Sequence, residues 1–136
     1  MPDRRRGTVR RLLPLSLVVI LAACAPLQPG ADPVVVNAER TANLAADTFD
    51  TFLKIEYDNR AALQTLSPAI HQYAETVRAK GPTWLASLRA LTKAYKFNRS
   101  SENKASLQTA IAVVTAAMQE SNKYIGQINA KAISTP

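Results

Sequence analysis

The sequence predicts an all-α protein, an antiparallel three-helix bundle behind an N-terminal leader. Three observations lead there. Apolar side chains recur at alternating steps of four and three along three long stretches, the period of one helix face. Ser67-Pro68 and Asn98-Arg99-Ser100-Ser101 separate those stretches with the chemistry of helix caps and turns. Between residues 33 and 132 nothing alternates as a strand does, and no Asn-Gly pair marks a hairpin.

The first helix is predicted over about 33–65. Asp32-Pro33 opens it, an N-cap followed by proline at the first helical position. Ala38, Ala42, Ala45, Phe49 and Phe52 form its stripe, which Leu53 and Leu63 broaden. Asp50–Lys54 and Glu56–Arg60 are i,i+4 pairs in the favourable order, and this reading places both on the wet side. The densest aromatic and aliphatic run, Phe49 to Tyr57, is apolar on two sides, which suits a helix wrapped by two neighbours.

Ser67-Pro68 starts the second helix, whose stripe reads Ile70, Ala74, Val77, Gly81, Trp84, Leu88, Leu91 and Tyr95. Its phase survives Gly81-Pro82, so two readings stand there: one kinked helix, or a helix split in two. The third helix follows a serine cap and Glu102, with Leu107, Ile111, Val114, Met118, Ser121, Ile125, Ile128 and Ala132 on its stripe. Helices of this length span about 45 Å each. The first (33–66) carries five acids and three bases, the second (68–97) one acid and five bases. Opposite bias of that kind favours side-by-side packing modestly. The core is expected where Phe49, Phe52, Trp84, Leu88, Leu91, Leu107, Ile111, Val114 and Met118 converge, with Trp84 covering the gap at Pro82.

The leader explains most of the charge. The chain has 136 residues, 17 Lys+Arg and 10 Asp+Glu. Arg4, Arg5, Arg6, Arg10 and Arg11 precede the apolar run Leu12 to Ala23, and beyond residue 23 only 12 bases face 9 acids. A basic segment, a short apolar run and small residues describe a secretory signal peptide. The run has 12 residues, short of the roughly 20 that span a bilayer. Leu21-Ala22-Ala23-Cys24 resembles the lipobox of bacterial lipoproteins, a resemblance confined to residues 1–24. It implies recognition of Leu21, Ala22 and Ala23 by signal peptidase II, cleavage before Cys24, lipid on the Cys24 thiol and anchoring in a membrane. Export is expected by Sec. Ala25 stands where an inner-membrane retention signal would carry Asp, so the periplasmic face of the outer membrane is expected in a diderm cell. Residues 24–32, with two Pro and one Gly, form the tether, 33–132 the bundle and 133–136 a tail.

Signals of chemistry are sparse. Cys24 is the sole cysteine and His71 the sole histidine, so a disulfide framework and a closed His/Cys zinc site are both excluded. His71 has Glu75 one turn on, a set too small for a metal; no cofactor is expected. There is no phosphate-binding Gly loop, nucleophile elbow or His-Glu-x-x-His. The expectation is a non-enzymatic envelope module that binds another envelope protein. Arg78, Lys80, Arg89, Lys93, Lys96 and Arg99 mark its candidate interaction surface. Nucleic acid is not an expected partner of an exported chain. The alternative is a small-ligand or lipid carrier with its cavity near Phe49, Phe52, Trp84 and Met118.

Overall fold

A computed structural model of the protein describes residues 30–133. Four helices fill them: α1 (Pro33–Asp58), α2 (Arg60–Leu66), α3 (Pro68–Phe97) and α4 (Ser101–Ile133). The expected leader, with Leu21, Ala22, Ala23 and Cys24, lies outside the described residues, as does the tail beyond Ile133.

Asp32 caps α1 as its sequence predicts, its carboxylate accepting from the Val34 amide at 2.9 Å ahead of Pro33. The continuous first helix does not hold. It breaks at Asn59, whose φ of −112° and ψ of 10° leave the helical basin. The Asn59 amide bonds back to the carbonyls of Ile55 and Glu56 at 3.2 and 3.1 Å, and its side-chain Nδ2 donates to Ile55 O at 2.8 Å. A short polar side chain that competes for backbone partners is a natural place to stop a helix.

At Gly81-Pro82 the outcome is the reverse. Helix α3 is neither split nor ended there, and runs unbroken from Pro68 to Phe97. Proline disfavours a helical residue before it because its ring meets that residue's Cβ. Gly81 has none, and a Cβ built there would touch Phe49 and Val77 at 3.6 Å.

The three long helices all pack against one another, and α2 lies on α3. Side-chain contacts give their sense. The start of α1 meets the end of α3 through Asp32 and Tyr95. The end of α1 meets the start of α3 through Glu56 and His71. The Tyr73 hydroxyl donates to Ala117 O of α4 at 2.7 Å.

Phe52, Val77, Leu88, Leu107 and Val114 are fully buried at the centre, with Ala38, Ala45 and Ala74 closing the helices onto one another. Complete burial of a side chain such as Phe52 contributes about 1.5–3 kcal/mol. Phe52, Tyr73 and Tyr124 pack ring on ring, with centroids 5.2–6.2 Å apart. Trp84 is only half-buried, its ring 6.2 Å from that of Phe49. Leu91, Ile111 and Met118 likewise flank the core instead of filling it. From the Phe49–Tyr57 run, Tyr57 points to solvent at 68% exposure.

Candidate functional site

Glu56 is where sequence and structure part most sharply. It was expected on the wet side, yet its side chain is fully buried. Its position explains why. Glu56 continues the stripe Ala38, Ala42, Ala45, Phe49, Phe52 by one more step of four, so it points inward with the rest. That in-phase acid was the available signal.

Its partners come from two other helices, α2 and α3. Arg60 of α2 reaches both carboxylate oxygens at 3.3 Å. From α3, Arg78 bonds Oε2, and His71 Nδ1 donates to Oε1 at 2.7 Å. His71 Nε2 then accepts from the Gln64 amide at 3.3 Å, the tautomer that satisfies both ring nitrogens. Arg78 also holds Glu75, the residue one turn on from His71, while His71 itself pairs with Glu56.

Burial pushes the Glu56 carboxyl up, and the hydrogen bonds from His71, Arg78 and Arg60 outweigh that push, so it titrates below the ordinary 4.5. The arrangement is a neutralised clamp. His71 resembles an oriented base, but its outer nitrogen meets Gln64, an amide that neither takes nor passes a proton.

A second feature lies beside the clamp. Where α3 lacks a side chain at Gly81, an open groove of about 520 Å³ runs between α1 and α3. Phe49, Leu53, Val77 and Leu85 line its apolar floor, with Asp50, Arg78 and Arg89 at the rim. A smaller groove of about 200 Å³ follows the same seam, bordered by Ala38, Arg89, Lys93 and Lys96. Arg89 borders both.

The six basic residues expected to form one surface divide. Arg78 is held by Glu56 and Glu75, Lys96 by Glu39 and Arg99 by Asp32. Lys80, Arg89 and Lys93 are exposed and form no ion pair among the described residues. Of the residues expected around a ligand cavity, Phe52 is fully buried, and the Phe49 and Trp84 rings pack with centroids 6.2 Å apart. Of those residues, Phe49 also borders the open groove.

Asp32 gathers the opposite end. It accepts from the Tyr95 hydroxyl at 3.2 Å and faces Arg99 at 3.5 Å. Burial raises its carboxyl, and the Val34 amide, Tyr95 and Arg99 more than compensate, so it titrates below 3.8. No described helix is long and apolar enough to cross a membrane. No protein-family model, curated protein or solved structure matches this chain.

Proposed function

We propose that the chain is an exported, lipid-anchored envelope protein whose antiparallel bundle is a non-enzymatic interaction module. Its binding place is the α1–α3 groove, and its partner is an envelope protein segment with apolar anchors and acidic flanks. One observation carries the reading: an apolar floor of about 520 Å³ lies open beside Arg89, with Lys93 one turn further along α3. Apolar anchors in a groove supply affinity, and complementary charge at the rim selects the partner. The anchor rests on Leu21-Ala22-Ala23-Cys24, and two or more acyl chains give durable attachment.

Photo-crosslinking from position 86, at the groove's edge, tests it in native membranes. The expected product is one discrete protein adduct, lost on Arg89→Glu with Lys93→Glu. A lipid or small-molecule adduct favours the second reading, a carrier, which the apolar floor of the same groove also suits. Intact mass of the membrane-extracted protein tests the anchor, with loss of residues 1–23 and added acyl mass expected.

A further inference from the structure

We propose that the α3–α4 corner, formed by Phe97, Arg99 and Lys104, is a membrane-contact surface resting on the anionic leaflet that carries the Cys24 anchor. The inference rests on the lipid-anchor reading above. Phe97 is 95% exposed, the most exposed large apolar side chain among the described residues. It ends α3, and its ring has no ring or cation partner among the described residues. Residues 96–104 hold three bases, Lys96, Arg99 and Lys104, against one acid, Glu102. Lys104 has no ion pair among the described residues, and Arg99 remains 63% exposed despite Asp32. An apolar ring between cations suits the headgroup boundary, where the ring leaves water and the cations meet lipid phosphates.

The tether decides which end of the bundle can do this. Asp32 touches both Tyr95 and Arg99, so the chain enters the bundle beside this corner. Gly30 lies six positions after Cys24, a reach of at most about 20–22 Å. The far end of the 26-residue α1 lies about 39 Å further along its axis, beyond that reach unless the bundle lies flat. With the bundle standing on this corner, Tyr57 and Leu66, exposed apolar residues at the far end, face away from the leaflet while Phe97 faces it. A short tether also holds the corner at high effective concentration against the surface, so a weak contact suffices.

The test couples the mature chain through its single thiol, Cys24, to a maleimide lipid, which reproduces the tether whether or not the cell acylates it. One reporter, Phe97→Trp, is compared with Tyr57→Trp, both in a Trp84→Phe background. Vesicles contain phosphatidylethanolamine and brominated phosphatidylglycerol. Trp at position 97 should be quenched at least about twofold more than Trp at 57, and 1 M salt should remove most of that difference.

Equal quenching at the two positions, or an unchanged difference in brominated phosphatidylcholine, overturns the proposal. So does a dimer that native mass spectrometry shows to depend on Phe97, since the corner would then pair two copies. If the Trp84→Phe background fails to fold, both reporters are read in the parent chain as differences from its own signal. A silent reporter in the coupled chain counts against this surface alone. An unacylated native mass counts against the anchor alone.

Discussion

Replacing Glu56 by alanine would leave two guanidiniums and a histidine around an empty centre. Removing one partner of a buried ion pair costs about 3–5 kcal/mol, because the remaining charge stays desolvated. Here Arg78 and Arg60 keep 28% and 36% of their side-chain surface exposed and can turn toward water. The expected loss is therefore about 2–4 kcal/mol, a large share of the roughly 5–15 kcal/mol that holds a domain of this size. The melting temperature at pH 7 should fall by about 10–25 °C.

Urea and thermal melts followed by circular dichroism, on the mature chain carrying Cys24→Ser, measure this directly. Acid supplies the internal control. The folded-state Glu56 carboxyl titrates below its ordinary 4.5, so its contribution is complete above that value and disappears as pH falls through the folded-state value. The gap between parent and Glu56→Ala should therefore close in acid. A loss under about 0.5 kcal/mol at pH 7, the range of surface sites, would refute the clamp. A gap that persists unchanged at low pH would refute its ionic character.

Two further expectations concern packing. Trp84→Ala should cost about 1–3 kcal/mol in urea melts, less than the ~3–5 for a fully buried aromatic, because its ring is half-covered by Phe49 and its neighbours; a full-sized loss would mean a buried ring. Ala45→Leu should destabilise by about 1–3 kcal/mol through overpacking, since Ala45 is fully buried on the α1 seam. An unchanged midpoint would mean that the helices can part there without cost.

Periodicity made most of the bundle legible. Ala38, Ala42, Ala45, Phe49 and Phe52 are all buried, as are Ile70, Ala74, Val77, Leu88 and Tyr95 on α3. The polar Ser121, on the stripe of α4, is buried too, its hydroxyl donating to Ala117 O at 2.9 Å. The break at Asn59 was concealed by arithmetic. Leu63 follows Phe52 by 11 residues, three helical turns almost exactly in phase on an unbroken helix, so the stripe looked continuous across it.

The candidate site was less legible, for two different reasons. Glu56 was judged by its charge and its neighbour Arg60, although its position on the stripe outweighed both. The groove depends on a missing side chain at Gly81 facing Phe49, a juxtaposition across helices that no single-helix pattern records. The division of the six bases also depends on distant partners. Lys96 meets Glu39 and Arg99 meets Asp32, contacts spanning more than half of the bundle's sequence.

The buried acid also bears on how the helices stay aligned. Much of the α1–α3 seam is alanine, from Ala38, Ala42 and Ala45 to Ala74, and such smooth ridges offer little resistance to sliding. A slip of one turn, about 5.4 Å, would exchange one alanine for another between Ala38 and Ala42. At Glu56 the same slip would carry a carboxylate away from His71 and Arg78 while keeping it out of water. Misaligned pairings would then be costly at Glu56 even along the alanine stretch where packing discriminates least. A single charge placed off-centre thus serves as a vernier mark along the smooth alanine part of the seam.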